Sequence, residues 1–394
     1  MSKDRLKDLS QLQLSLYKKA LSEAHLNTTI NSPSLLSYSQ KYLEMIPETF
    51  SRVNLDYFLD AMNRSHFVLY GDFHTLKQSQ RGLLRLLRSF QVKYPKRHII
   101  LAMEMCQAKD QKIIDKYSSG EISDLEFLDA TNYDKTWGFP WDGYKAILSH
   151  ANQSGISVIG INKDESVKSS LEERDLFAAG ILTKNHLKNP ESLIVCLIGE
   201  FHLADDHLIA HLSKNLGKKR TTAKILRIIT NVDQYSFQST PNSLSQPTEY
   251  LHLKENLLCI LNTPPWIKWK SYTLWEEMKQ TNMHFSDEIL NSDDDSDLFT
   301  EDTFDIDNHI LNLTKDLAEF FNVEIKHSEL SNFNSILFPD EDYFISIRKE
   351  LKLTKKHIQS IKESVSIDGF FFIPYNNMFI LSDFSLNNLS NAAG

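Results

Sequence analysis

Cysteine, proline and glycine are all scarce in this 394-residue sequence, at 3, 11 and 12 residues. The cysteines (Cys106, Cys196, Cys259) are odd in number, far apart and set in apolar or helical surroundings. This argues against a disulfide framework or a cysteine zinc site and predicts buried thiols. Little Gly and Pro, beside 41% hydrophobic and 24% charged residues, argues against fibrous and disordered classes. No run approaches the roughly 20 apolar residues of a membrane helix, so no membrane span is expected. Positive charge is also short: 43 Lys+Arg against 52 Asp+Glu leave a net charge of -9, so no nucleic acid partner is expected. Residues Met1 to Asp8 carry charges without an apolar run, and no Cys stands near them for a lipid. They predict no secretory signal and a cytoplasmic protein.

What is present is an alternation of short apolar runs and amphipathic segments. Residues 1–60 read as a helical collar, with Leu12, Leu14, Tyr17 and Leu21 at helical spacing. From His66 the runs 66–70, 98–103, 156–161, 193–198 and 223–230 predict five strands. The stretch 76–90 is read as a helix with Leu76, Leu83, Leu84, Leu87 and Phe90 on one face and Arg81, Arg85 and Arg88 on the other. The fold class is therefore α/β, a mostly parallel sheet with flanking helices over residues 61–240. The region 241–394 reads as a mainly helical extension, with a helix over 251–280 broken at Pro264-Pro265. It carries an acidic loop at 286–307, helices at 309–321 and 341–364, and a hairpin of 370–373 with 379–381. The run Asp293 to Asp297 lacks the Gly and Glu of a calcium loop, having Leu298 and Phe304 there, and reads as a solvated linker.

Polar residues follow the predicted strands one after another: Asp72 and His74, Glu104, Asn162, then Glu200 and His202. In parallel α/β sheets that edge is where ligands bind. Two stretches share the pattern Gly-acid-Phe-His, Gly71-Asp72-Phe73-His74 and Gly199-Glu200-Phe201-His202. A tight turn at each Gly would turn acid and imidazole to one side as a pair. One histidine alone usually caps a helix or a strand end; the same spacing at two strand ends argues for chemistry. Converging imidazoles and carboxylates suit a divalent metal at His74 and His202, or general acid and base catalysis with each carboxylate orienting its His. Sequence alone leaves both open. Glu104, set between Met103 and Met105, needs a buried partner. Arg174 suits an anionic group, and the aromatic stretch Trp137 to Tyr144 suits a flat apolar ligand or a lid.

These motifs, with Met103-Glu104-Met105, Trp141 to Tyr144, Ile159 to Asn162, Glu172 to Asp175 with Ala178, and their order, resemble the ChaN-like family. That family belongs to the haem-binding uptake and Tiki superfamily and is related more distantly to TraB proteins and erythromycin esterases. The resemblance spans roughly residues 60–235. It implies either haem binding linked to iron handling, or hydrolysis with the Gly-x-x-His residues and a Glu, metal-dependent in the Tiki case. Carried over, the site is His74, Glu104, Arg174 and His202, helped by Asp72 and Glu200. The expected function is a metal-assisted hydrolase of a small-molecule or peptide-like substrate. The alternatives are a haem protein using Trp141 and Tyr144, or an inactive scaffold; a homodimer is among the expected assemblies.

Overall fold

The computed structural model describes residues 14, 15, 17–25, 33–164, 169–219, 223–238, 249–280, 314, 315, 318, 334–337, 341–374 and 377–381. The chain divides into two compact units, residues 1–284 and 285–394. After helical residues 17–25, the first unit contains α1 (Pro33–Met45), β1 (Ser51–Val53), α2 (Leu55–Asn63), β2 (Phe67–Asp72), α3 (Lys77–Lys93) and β3 (Ile99–Gln107). It continues with α4 (Gln111–Ser118), α5 (Asp124–Thr131), α6 (Tyr133–Thr136), α7 (Trp141–Gln153), β4 (Ser157–Asn162), α8 (Leu171–Lys188) and β5 (Leu193–Gly199). A 3-10 turn (Glu200–Leu203) leads to α9 (Leu208–Lys218), β6 (Ile225–Thr230), α10 (Asp233–Gln238), β7 (Glu249–Lys254), β8 (Leu257–Leu261) and α11 (Pro265–Gln280).

The eight strands form one sheet in the order β1, β7, β8, β6, β2, β5, β3, β4. Pairing is parallel throughout β8, β6, β2, β5, β3 and β4, and antiparallel only where β7 meets β1 and β8. The α/β expectation holds. Strands β2 and β5 are buried along their whole length because helices cover both faces, which is why they read as unbroken apolar runs. Val68, Tyr70, Val195 and Leu197 face the side packed by Leu83, Leu87, Phe90, Ile147 and Leu148 of α3 and α7. Their neighbours Phe67, Leu69, Ile194 and Cys196 face Ala178, Leu182, Leu208 and Leu212 of α8 and α9. Each such aliphatic side chain contributes about 1.5–3 kcal/mol of burial.

Four expectations differ from what is seen. Residues 251–261 are not helical: β7 and β8 form a hairpin over Glu255-Asn256, with Asn256 at φ 60, and β8 pairs with β6. The period-2 alternation from Glu249 to Lys254 and the two-residue turn are strand signals. The sheet thus runs through the expected boundary near 240, and the compact unit ends at 284. The collar is not wholly helical, since Ser51–Val53 pairs with β7. Finally, Arg81 is buried rather than on a solvent face of α3.

The second unit contains β9 (Asn334–Leu337), α12 (Glu341–Glu350), α13 (Lys355–Asp368), β10 (Phe370–Ile373) and β11 (Met378–Leu381). The expected hairpin is there as β10 and β11, and β9 adds in parallel to β11. Phe344, Ile347, Ile358, Ile361, Val365 and Ile380 form its core. The acidic stretch 286–307 lies outside the described residues, as does most of the helix expected over 309–321. The three cysteines are free and buried. Among the described residues no helix is long and apolar enough to cross a membrane.

Candidate active site

Interleaving of the strands brings the two motifs together. β2 and β5 are neighbours, in register at Asp72 and Gly199, and β3 lies on the other side of β5 with Met103 opposite Leu197. Asp72, Gly199 and Glu104 therefore reach the carboxyl edge of the sheet at nearly one level.

At the first motif the expected pair is present. His74 Nδ1 lies 3.0 Å from Asp72 Oδ2. The Asp72 carboxylate also accepts from Gln80 Nε2 at 2.6 Å and from the Tyr144 hydroxyl at 2.7 Å. A proton on Nδ1 facing Asp72 fixes the tautomer and leaves Nε2 for chemistry.

The second motif is built differently. The 3-10 turn carries Glu200 away from His202, to the Tyr42 hydroxyl (3.2 Å) and Lys268 Nζ (3.2 Å). His202 Nδ1 pairs instead with Asp175 Oδ1 of α8 at 2.6 Å, and the Tyr38 hydroxyl donates to the other Asp175 oxygen. The expected Glu200–His202 pair is thus replaced by one with Asp175. Helix α8 starts at a capping box of Ser170 and Glu173, which sets its phase. Asp175 then falls on the buried stripe with Ala178, Ala179 and Leu182, spaced 0, 3, 4 and 7. A carboxylate on an apolar stripe is the signal that reveals it in the sequence.

Both imidazoles turn Nε2 toward Glu104. His202 Nε2 lies 3.4 Å from Oε1 and His74 Nε2 4.0 Å from Oε2, while the Gly199 amide donates to Oε2 at 2.7 Å. The result is an alternating chain: Asp72, His74, Glu104, His202, Asp175. Neither motif glycine adopts a left-handed conformation, so the expected glycine turn is not why glycine stands there. Space is the reason at Gly199, where a Cβ would lie 3.1 Å from His74 Nε2 and 3.4 Å from His202 Cδ2.

The charges follow from this geometry. Burial opposes a charge on His202, but the Glu104 carboxylate and the hydrogen bonds to Asp175 and Glu104 prevail and push its pKa up to about 10. Burial would raise Glu104, yet His202, His74 and the Gly199 amide bring it down to about 2. His74 is raised as well: burial opposes its charge, and Asp72 and Glu104 outweigh both that and the repulsion from His202. Glu200 is raised chiefly by burial, against the pull of Lys268.

Around the chain, the His74 ring meets Trp137 at 4.6 Å and Phe139 at 4.7 Å between ring centroids, and Trp275 of α11 stacks on Phe139 at 4.6 Å. Trp141 packs instead among Tyr117, Phe127 and Tyr133. Arg174 is half-buried at the position before Asp175. Asn162 ends β4, buried, opposite Gln107.

The resemblance implies two groups, a divalent metal and a haem. For a divalent metal at His74 and His202, no set of three or more His, Cys, Asp or Glu among the described residues is placed to hold an ion. Each Nδ1 is tied to its own carboxylate, and the two Nε2 atoms face Glu104 as ion pairs at 4.0 and 3.4 Å. For haem, Tyr144 is fully buried with its hydroxyl given to Asp72, and Trp141 belongs to a packed aromatic cluster, so the pair presents iron with no open ligand.

Residues 58–180 match the family described as "Haem-binding uptake, Tiki superfamily, ChaN". Among solved structures the chain is similar to ChaN of Campylobacter jejuni, reported with cofacial heme binding. That match has 15% identity and a TM-score of 0.35, covering 46% of this chain and 88% of that one. It is similar to the C-terminal region of Pasteurella multocida toxin, reported with a thiol-protease like catalytic triad. Identity there is 14% and the TM-score 0.34, over 56% of this chain and 30% of that one. It is also similar to the type III effector HopBA1, with 14% identity and a TM-score of 0.35, over 56% and 98% of the two chains. No curated protein matches. The resemblance read from the motifs agrees with that family match: residues 58–180, which supply Asp72, His74, Glu104 and Asp175, are similar to the ChaN family of the haem-binding uptake and Tiki superfamily.

Proposed function

We propose that this chain is a hydrolase of a small-molecule or peptide-like substrate, working by general acid–base chemistry with His74 as the residue that exchanges protons with the substrate. The observation that carries the reading is the chain of two imidazoles and three carboxylates at the carboxyl edge of the sheet. A packing role calls for none of this repetition, and buried groups with displaced pKa values gather where proton transfer is needed.

His74 is the more exposed of the two imidazoles, its side chain 22% exposed against 7% for His202. In its charged form it donates the Nε2 proton to the leaving group. Loss of that charge removes one of the cations that hold Glu104 down, so the carboxylate becomes the stronger base at that moment. Glu104 accepts the proton of the attacking water and passes it back to His74, which closes the cycle. His202 and Asp175 stay charged behind it and keep Glu104 oriented. Arg174 is the residue assigned to an anionic part of the substrate, and Trp137 and Phe139 exclude water from His74.

The test is turnover of a panel of chromogenic esters, lactones and peptides by chelator-treated protein. Activity is expected to survive chelation and to fall about 10²–10⁴-fold in His74→Gln and in His202→Gln. Activity that disappears with the chelator and returns with a divalent ion would overturn the metal-free reading. So would stoichiometric haem, seen as a Soret band, in a protein without turnover, or full activity in both variants.

A further inference from the structure

The residues on either side of His74, and Glu200 two positions before His202, are held from α11, which lies outside the family-matched segment. Lys268, buried on α11, directs its ammonium to Glu200 Oε1 at 3.2 Å, Asp233 Oδ1 at 3.6 Å and the Asn231 carbonyl at 3.4 Å. The same ammonium lies 4.8 Å from the centroid of the Phe73 ring. Phe73 immediately precedes His74, and Glu200 stands two residues before His202. One turn further along α11, Ser271 Oγ shares a hydrogen bond of 3.0 Å with Thr75 Oγ1, on the other side of His74. The Tyr42 hydroxyl holds the second Glu200 oxygen. Burial disfavours the ammonium charge, but Glu200 and Asp233 outweigh it and raise the Lys268 pKa, so the group is a cation rather than a nucleophile.

We propose that Lys268 is a positioning residue for the acid–imidazole chain, pinning Phe73 and Glu200 and through them the backbone that carries His74 and His202. The inference rests on the acid–base reading of that site. It differs from charge balance in a way that can be measured: an ammonium that only neutralised Glu200 would be dispensable once Glu200 were neutral too. A pin between two loops would not be.

The experiment records imidazole resonances of the full chain, isotope-labelled at histidine Cε1, near neutral pH. Wild type, Lys268→Met and the double variant Lys268→Met/Glu200→Gln are compared, with a melting curve for each. The single variant is expected to melt lower and to displace the His74 and His202 resonances. The double variant is expected to regain part of the melting temperature, because it strands no carboxylate at 200 while Asp233 still lacks its cation, and both resonances stay displaced. Wild-type positions for both resonances in the double variant would overturn the proposal; should the single variant fail to fold, the double variant decides alone. A wild type that hydrolyses nothing in the substrate panel counts against the acid–base reading, whereas the resonances still decide whether Lys268 sets the imidazoles.

Discussion

Removing the His202 imidazole strands Glu104 and Asp175, both buried, without their shared cation. His202→Gln is therefore expected to lower stability by about 3–5 kcal/mol, the usual cost of breaking a buried pair, as read from urea denaturation. The pH dependence has a definite sign. The His202 pKa rises from 6.5 to about 10 on folding, so its contribution is complete below 6.5 and is lost as pH climbs through about 10. Glu104 falls from 4.5 to about 2, so its contribution is complete above 4.5 and is lost as pH drops through about 2. The gap between wild type and variant should be widest between 4.5 and 6.5 and close on both sides; a gap independent of pH would contradict the assigned charges. Gly199→Ala makes a second residue-scale prediction. Its Cβ would press on His74 Nε2 at 3.1 Å, so turnover should fall about 10²-fold, as a misplacement near 1 Å costs, while urea denaturation shows a loss of only about 1–3 kcal/mol.

At the scale of elements, legibility depended on distance along the chain. The strands bearing Asp72, Glu104 and Gly199 were readable because each is a local apolar run ending in a polar residue, and the Asp72–His74 pair spans two positions. Asp175 is less legible: its neighbour Arg174 carries the more obvious charge, although only Asp175 falls on the apolar stripe of α8. Tyr38, Tyr42 and Lys268 had no local signature, because their partners lie 137, 158 and 68 positions away and only the folded chain joins them. The hairpin of β7 and β8 resembles a helix in sequence because a short apolar run fits both periods until its turn is counted. The α8 contribution is testable by Asp175→Asn. An amide oxygen at 175 can accept a hydrogen bond from Nδ1–H but carries no charge, so the His202 pKa should drop and turnover should fall about 10²–10⁴-fold. Unchanged values of both would show that α8 has no part in the site.

For the whole molecule, every residue assigned to the site lies between Tyr38 and Trp275, within the compact unit that ends at 284. The family-matched segment is a smaller piece that stops before His202. Cutting the chain after His284 should leave turnover within about twofold, since the unit has its own core and sheet. Cutting after residue 180 should abolish it.

The protonation of His202 tests the account most directly. In protein isotope-labelled at the imidazole nitrogens, the ring should show both nitrogens protonated at about pH 8 and titrate near 10, with its Nδ1 proton strongly deshielded by Asp175. A neutral His202 ring at that pH would mean that Glu104 and Asp175 do not hold a shared cation, and the proposed proton-transfer chain would have no inner end.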